Sequence, residues 1–303
     1  MGAASLEGDS LACGRTLSVA DITIRLADEL CPPFSTWPTS YQPFLAEGLA
    51  DEEGGLRWCL GEDQDRPADD DFCPTYAAGA WQAGTVGERT LYRFHAGENR
   101  PYLWAEPNAD FSRVWVWIDP AGARQMPPML HPVDRVLWMG VLAHRRGMIV
   151  HSCGWSCQRR AVLFPGVSGA GKTTLCRQLM AAGAGAVLSD DRMVVRVQAD
   201  ECRASGTPWP GDAKQARNES APLAAIAFIE QSPVHRVTPI RPADALRRLL
   251  EAASVPWYAP ALRDMVLPVV EQMVASVPAY RVGFHPDPSV VAELLPLVGE
   301  SGT

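Results

Sequence analysis

The sequence predicts a mixed protein of the α/β class, α+β overall, in which a β-rich N-terminal module precedes a domain of alternating strands and helices. Before Asp119 the apolar residues form short runs with β character. Beyond Val133, strand-like runs alternate with runs that have helical spacing. Residues 1–16 are small, polar and Gly-rich without periodicity, so we expect a flexible start outside the fold. The predicted domains are therefore 17–125 and 126–303.

In the N-terminal module, apolar and β-branched runs predict short strands that are separated by Pro-rich and acidic loops. The predicted strands are Val19–Leu26, Leu56–Leu60, Arg89–Phe94, Tyr102–Ala105 and Val114–Ile118. No catalytic motif is recognisable here, and acceptor recognition is the role we expect. The segment Pro120–Pro132 contains four prolines and predicts the connection between the halves.

In the second half, apolar spacing predicts a helix over Val133–Arg146 and then a hairpin of Met148–His151 with Ala161–Phe164. The pattern then predicts an alternation of helices and strands. The helices are Lys172–Ala182, Ala243–Ala253, Ala259–Val277 and Pro288–Leu297, and the strands are Ala186–Leu188, Met193–Val197, Leu223–Ile229 and Tyr280–Phe284.

Composition and charge exclude several classes of protein. The 47% hydrophobic and 20% charged content is typical of globular proteins, and the net charge of −8 argues against a broad nucleic-acid surface. No apolar run approaches the ~20 residues that cross a bilayer, so we expect no membrane contact. Eight cysteines without paired CxxC spacing, and no signal-peptide pattern, predict a reduced, cytoplasmic protein. No second pair complements Cys153 and Cys157, which argues against a zinc site.

The strongest motif is AVLFPGVSGAGKTTLCRQL, which satisfies the P-loop pattern G-x-x-x-x-G-K-[ST] between a predicted strand and a predicted helix. Glycines let successive backbone N–H groups point into one concavity, and the helix N-terminus adds partial positive charge. We expect Lys172 to reach the β and γ phosphates and the Thr173 hydroxyl to hold Mg²⁺. The predicted nucleotide-binding residues are Gly166, Ser168, Gly169, Ala170, Gly171, Lys172, Thr173 and Thr174.

Two further features stand near this motif. Asp190 and Asp191 follow the predicted strand Ala186–Leu188, where strand ends deliver residues to a ligand crevice. One carboxylate of such a pair can bind Mg²⁺ and the other can accept a proton; a solvated acidic turn is the alternative. His151 ends the strand predicted to pair with the strand entering the P-loop, and we expect it to act as metal ligand or proton carrier; a structural histidine is the alternative.

The stretch VHSCGWSCQRRAVLFPGVSGAGKTTLCRQL, followed by AVLSDDRMVV, resembles the catalytic domain of HPr kinase/phosphorylase and its relatives, which share a fold with phosphoenolpyruvate carboxykinases. The resemblance covers Met148–Val197 well and extends less securely to Phe284. It implies a P-loop kinase in which one member of the acidic pair is the general base. Carried over to this sequence, the catalytic positions are Asp191 as the preferred base, Asp190, His151 and Lys172, and the metal positions are Thr173 and Asp190.

The sequence also departs from those families. The loop reads GKTT rather than GKSE, which is closer to the carboxykinase form, and no lysine precedes Lys172 to serve as a carboxykinase metal ligand. Decarboxylation chemistry is therefore not expected. The segment Gly206–Asn218 resembles a loop of HPr-kinase-like proteins encoded near peptide-modification enzymes. It offers Lys214 and Arg217 as contacts to phosphate or acceptor, with an exposed basic turn as the alternative.

Together these features predict an ATP-dependent, Mg²⁺-dependent phosphotransferase that acts on a hydroxyl, with Ser or Thr of a peptide or small protein as the leading acceptor. Two alternatives stay open. One is a kinase for a small molecule such as free serine or a sugar, and the other is a regulator that binds nucleotide without transferring phosphate. The resemblance also implies a homo-oligomer.

Overall fold

The computed structural model describes residues 15–31, 37–47, 55–95, 101–119, 130–167 and 169–299, and these contain two large β-sheets and several helices. The fold is therefore a mixture of α and β elements. The predicted flexible residues 1–14, the proposed boundary at 125/126 and Ser168 of the P-loop lie outside the described residues. Arg15 and Thr16, which we expected to be flexible, belong instead to the first strand.

The N-terminal half builds a nine-stranded sheet with the strand order β3-β1-β2-β4-β9-β8-β7-β6-β5. Short 3₁₀ helices lie at Asp28–Leu30, Thr39–Phe44, Asp63–Asp65 and Asp69–Asp71. The strands are β1 (Arg15–Val19), β2 (Ile22–Leu26), β3 (Leu45–Glu47), β4 (Leu56–Leu60), β5 (Cys73–Ala78), β6 (Trp81–Val86), β7 (Arg89–His95), β8 (Pro101–Pro107) and β9 (Arg113–Ile118).

The single strand predicted over Val19–Leu26 is wrong, because the chain reverses inside it. Ala20 and Asp21 have φ values of 55° and 60° and form the turn between β1 and β2, which pair antiparallel. Positive φ at both central residues is the conformation of a two-residue hairpin turn, although neither residue is the usual Asn or Gly. Sequence reasoning therefore missed the turn.

The C-terminal half combines the second sheet with helices. Its strands are β10 (Gly147–Cys157), β11 (Arg160–Pro165), β12 (Ala186–Ser189), β13 (Arg192–Gln198), β14 (Glu201–Ser205), β15 (Ser220–Gln231), β16 (Arg236–Pro239) and β17 (Ala279–Phe284). Its helices are α1 (Val133–Ala143), α2 (Lys172–Ala182), α3 (Pro242–Ala252), α4 (Pro260–Ser276) and α5 (Val290–Leu294), followed by a 3₁₀ turn at Leu295–Leu297.

Strand β10 is longer than the sequence predicted, and it changes neighbours along its length. Residues 147–151 pair with β13, whereas residues 152–157 pair with β11. Strand β15 makes the same change, since it pairs with β14 at its start and with β11 and β17 beyond. Strands β11, β15 and β17 are parallel, so their carboxyl ends meet at one edge of the sheet.

The two halves share one hydrophobic core. A single cluster of buried residues runs from Leu17 and Trp58 in the first sheet to Trp138 in α1 and Met273 in α4. The indole rings of Trp58 and Trp138 pack edge to face, with 6.4 Å between their centroids. A separate, smaller cluster packs α2 and α5 against the second sheet, beneath the P-loop.

Across the described ranges, the helices fall short of the length and apolarity that a membrane crossing would need.

Candidate functional site

The P-loop connects the carboxyl end of β11 to the first turn of α2. Gly169 and Gly171 have φ values of 85° and 98°, which residues with a Cβ atom rarely adopt. Gly171 precedes the first residue of α2, and no side chain caps that helix terminus. The first N–H groups of the helix therefore face the loop concavity, and they are the groups that bind anions at helix N-termini.

The Lys172 side chain lies against the loop itself. The lysine is 6% exposed, and its Nζ donates hydrogen bonds to the carbonyl oxygens of Gly166, at 2.7 Å, and Val167, at 3.0 Å. Burial lowers the pKa of Lys172 below its ordinary value, while the charge of Asp191 opposes this shift. The ammonium group is thus held against the loop by backbone acceptors.

Asp190 organises a neighbouring loop. Its carboxylate is 2% exposed and accepts three backbone N–H groups: from Gly211 and Gln215 to Oδ1, both at 3.0 Å, and from Ala213 to Oδ2, at 2.7 Å. A carboxylate that is this fully hydrogen-bonded to backbone is an anchor. Sequence reasoning missed this anchoring role, and the metal binding and catalysis predicted for Asp190, which also lines the pocket, stay predictions.

Asp191 faces the pocket and is held by two side chains. His151 Nε2 lies 2.9 Å from Oδ1, and Arg192 Nη1 lies 2.9 Å from Oδ2. His151 and Arg192 are directly paired across strands β10 and β13, which brings both side chains to the same carboxylate. Backbone contacts fix the frame, since Ser152 N donates to Asp191 O at 3.0 Å and Gly166 N donates to His151 O at 3.1 Å.

The surroundings of Asp191 favour its ionised form. Burial raises the pKa of this carboxyl, but the hydrogen bond from His151 and the charges of Arg192, His151 and Lys172 outweigh burial and hold the pKa below its ordinary value. Asp191 is therefore a carboxylate at neutral pH. Its side chain is 30% exposed and that of His151 is 23% exposed, so solvent and ligands reach both.

These groups line one pocket of about 550 Å³, a volume within the usual range for ligand sites. Its walls bring together His151, Lys172 and the acidic pair with the hydroxyls of Thr173 and Thr174. Sequence reasoning missed three further lining residues, Gly211, Asp212 and Gln231. It also missed Arg192, which contacts Asp191. Arg192 directly follows the acidic pair, and this position in the sequence could have identified it as a site residue. Gln231 carried no local signal, because only the parallel pairing of β15 places its end beside the P-loop.

Lys214 and Arg217, both predicted to bind phosphate or acceptor, lie on the loop that follows the lining residues Gly211 and Asp212. Lys214 is exposed and adopts a φ of 56° in the loop that Asp190 anchors. Arg217 is exposed and forms an ion pair with Glu219 at 3.3 Å. Neither is among the described residues that line the pocket, and their binding role stays a prediction.

The oxygen atoms at the site suit a hard cation. In the described part of the chain, no three His, Cys, Asp or Glu residues are grouped to hold a metal by themselves. Mg²⁺ in nucleotide sites is usually held by one or two protein oxygens together with phosphates and water. The Thr173 hydroxyl and the carboxylates of Asp191 and Asp212, which line one pocket, fit that requirement.

Comparison with known proteins gives a family and a likeness to solved structures. No curated protein matches the chain. Among solved structures, the Hpr(Ser) kinase/phosphatase from Coxiella burnetii aligns over 49% of this chain and 93% of its own, with 13% identity and a TM-score of 0.29. The family model described as "SynChlorMet cassette protein ScmC" matches residues 125–285, which is more than half of the 303 residues and includes every residue of the pocket. The chain therefore belongs to the SynChlorMet cassette protein ScmC family.

Proposed function

We propose that the protein is an ATP-dependent phosphotransferase that phosphorylates a hydroxyl group, with Ser or Thr of a peptide or small protein as the acceptor. The observation that carries this proposal is the placement of the His151–Asp191 pair in the same pocket as Lys172 and Thr173. A P-loop alone supports nucleotide binding. A fixed, ionised carboxylate beside it adds a group that can receive the proton of an attacking hydroxyl.

The loop fits a polyphosphate for reasons that do not depend on the motif. Gly169 and Gly171 add no side chains to the loop, no side chain caps the start of α2, and the Lys172 ammonium bonds to the loop carbonyl of Gly166. Thr173 and Asp212 offer oxygen ligands for the divalent ion. When bound, ATP supplies the transferable phosphoryl group, and Mg²⁺ neutralises negative charge on the phosphate oxygens.

Each residue then has a distinct task. Lys172 and the N–H groups at the start of α2 stabilise negative charge on the phosphoryl oxygens as the acceptor oxygen bonds to the γ phosphorus and the bridging oxygen leaves with ADP. Asp191 accepts the proton that the acceptor hydroxyl loses. His151 and Arg192 position that carboxylate through its two oxygens. Because Asp191 is a weak base, the proton moves late in the transfer.

The proposal is tested by incubating the full chain with Mg²⁺, γ-labelled ATP and candidate peptides encoded beside its gene, followed by mass spectrometry for the gain of one phosphate. We expect Asp191→Asn to retain nucleotide affinity and to lose transfer by about 10²- to 10⁴-fold, the usual contribution of a positioned proton acceptor. Asp244→Asn is the matched control, since this aspartate lies at an exposed ion pair on α3.

Labelled free serine or sugars in the same assay would point to a small-molecule acceptor in place of a peptide. Equal transfer by wild type and Asp191→Asn would overturn the assigned base. Nucleotide binding without transfer to any acceptor would overturn the phosphotransferase proposal and favour a nucleotide-binding regulator.

A further inference from the structure

A second pocket lies at the opposite edge of the second sheet from the P-loop. It has a volume of about 500 Å³, and its walls come from the β10–β11 hairpin, from β14 and from the start of β15. Strands β11 and β15 are parallel, so their amino ends lie here and their carboxyl ends lie beside the P-loop. Ser220 at one end of β15 lines this pocket, whereas Gln231 at the other end lines the first. The two pockets are therefore separate sites.

Arg159 brings a guanidinium group to this pocket from the hairpin turn. Gln158 and Arg159 have φ values of 51° and 62°, and they form the two-residue turn that follows the last pair of β10 and β11, Cys157 with Arg160. Within the part of the chain that the structure describes, no carboxylate and no hydrogen-bond acceptor contacts the Arg159 side chain. All of its donors are therefore available to a molecule in the pocket.

Arg203 brings a second guanidinium group to the same pocket from β14. Its Nη1 donates to Glu201 Oε2 at 3.1 Å, and its side chain is 28% exposed. Its Nε and Nη2 donors have no acceptor among the described residues. Arg203 is paired with Pro222 of β15, which forms an apolar wall of the pocket together with Ala221. Two guanidinium groups thus stand beside a small apolar surface.

Two serine hydroxyls add neutral donors to these cations. Ser220 pairs with Ser205 of β14, and the buried Ser205 hydroxyl donates to Ser220 Oγ at 3.1 Å. Because Ser220 accepts that bond, its own hydroxyl proton remains for a ligand. Ser156, near the end of β10, also lines the pocket, and its hydroxyl contacts no other side chain of the described ranges.

The charge around the pocket is positive on balance. Among the described lining residues Glu219 is the one carboxylate, and its Oε1 is paired with Arg217 Nη1 at 3.3 Å. Arg159, Arg203 and Arg217 therefore outnumber Glu201 and Glu219, on a protein whose net charge is −8. A local excess of cationic donors of this kind favours an anion.

We propose that this second pocket binds a small molecule that carries a phosphate or carboxylate group. Guanidinium groups bind the oxygens of both anions through paired hydrogen bonds, which Arg159 and Arg203 supply. The hydroxyls of Ser156 and Ser220 donate to the remaining oxygens, and the apolar wall contacts the rest of the molecule. The volume lies within the usual range for small-molecule sites. This inference goes beyond the proposed function and does not depend on it.

NMR titration tests the site residue by residue. The full chain, deuterated and labelled with ¹⁵N, is titrated at constant ionic strength with methyl phosphate, with acetate, or with methanol as the neutral probe. We expect saturating shifts of the amide signals of residues 156, 159, 203 and 220 with at least one of the anions, and none with methanol. The two anion arms show which group is preferred. The amides of residues 169–174 report any binding at the P-loop separately.

Arg203→Gln should weaken binding of the preferred anion at these amides by at least about tenfold, as the loss of one charged hydrogen-bonded contact does. Arg159→Gln should have a similar effect, and its position in an exposed turn provides a folded variant if Arg203→Gln does not fold. Arg247→Gln is the matched control, because Arg247 is an exposed arginine that pairs with Glu251 on α3.

The absence of saturating shifts at this pocket would overturn the proposal, as would equal shifts with methanol. Unchanged affinity for the anion in the variants that fold would overturn it too. None of these outcomes bears on phosphate transfer at the P-loop, so the two proposals fail separately.

Discussion

Asp191 is held firmly in the pocket, because each of its oxygens has a different partner. His151 holds Oδ1 and Arg192 holds Oδ2, both at 2.9 Å. A carboxylate held at both ends has one orientation, which removes the rotational search that a free aspartate would make. The same contacts keep it ionised, against the effect of burial.

Replacing His151 should therefore change the titration of Asp191. The hydrogen bond and charge of His151 lower the Asp191 pKa, so His151→Ala should raise that pKa towards the ordinary value of 3.8. The carboxyl carbon can be followed by NMR from pH 2 to 6, with Asp191→Asn to assign the signal. His144→Ala is the control, since His144 packs on Phe111, remote from the pocket. An unchanged Asp191 titration in His151→Ala would show that the contact is not maintained in solution.

The pH dependence of stability follows from the same shift. Because the folded pKa of Asp191 is depressed, its contacts stabilise the folded state above the ordinary value of 3.8, and that contribution is lost as pH falls through the folded pKa. The free energy of unfolding of wild type should therefore exceed that of Asp191→Asn near neutral pH, and this difference should disappear in strongly acidic solution.

Which residues form the pocket could largely be predicted from the sequence, but the task of each could not. The motif and the acidic pair were visible in the sequence, and the structure brings His151, Lys172, Thr173 and Asp191 into one pocket. The sequence did not show that Asp190 anchors a loop, whereas Asp191 bonds to His151 and Arg192. The partners of Asp190 lie 21 to 25 residues further along the chain, and only the folded loop brings their N–H groups to it.

Among the elements, the loop that Asp190 anchors is the one that shapes the pocket wall. Three N–H groups of this loop donate to Asp190. In addition, Arg217 N donates to Leu188 O at 2.9 Å, and Ser189 forms an isolated β-bridge with Ala216. The end of β12 thus holds both the acidic pair and the far side of this loop.

Asp190→Ala should release the loop. Three buried N–H groups would lose their acceptor, which should lower the free energy of unfolding by about 2–5 kcal/mol. Hydrogen exchange should accelerate at the amides of Gly211, Ala213 and Gln215, while exchange in β17 stays slow. Asp190→Asn, which retains one acceptor oxygen, should give a smaller effect. Unchanged exchange in Asp190→Ala would refute the anchoring role.

Element prediction succeeded where apolar spacing was regular. Lys172–Ala182 and Leu56–Leu60 have the predicted bounds. The helix buries one face, and the strand buries its central residue, Trp58. Element prediction failed for β3, β5, β6, β14 and β16. Strand β5 is almost wholly exposed, so burial imposes no alternation on CPTYAA, and pairing with β6 alone makes it a strand.

On the scale of the whole molecule, the two halves are joined through their interiors. Tyr258, after α3, stacks on Tyr76 of β5 at 4.9 Å and meets Trp81 of β6 at 5.1 Å. Asp134 adds a polar junction, since Tyr41 comes from the first half and Trp209 from the pocket loop. We expect the halves to unfold together.

Asp134→Ala should destabilise both halves at once. The Tyr41 hydroxyl and the Trp209 indole N–H would be left buried without an acceptor, at a cost of about 2–5 kcal/mol. Urea unfolding followed by tryptophan fluorescence and by hydrogen exchange in each sheet should show one transition at a lower midpoint. Two separated transitions in wild type would contradict the shared core.

Burial raises the pKa of Asp134, so ionisation opposes folding there. The stability linked to its protonated form is complete below the ordinary pKa and is lost as pH rises through the folded pKa. Asp134→Asn should lack that dependence.

The change of partner along β10 has a consequence for how this sequence can diverge. His151 is the last residue paired with β13, and Ser152 is the first paired with β11, opposite Pro165. The hairpin turn at Gln158 and Arg159 can gain or lose residues in matched numbers on both strands without moving His151 relative to the P-loop. An insertion of an odd number of residues in either strand would move the His151 side chain away from Asp191. Length variation among homologues should therefore concentrate at that turn and spare residues 151–157 and 160–166.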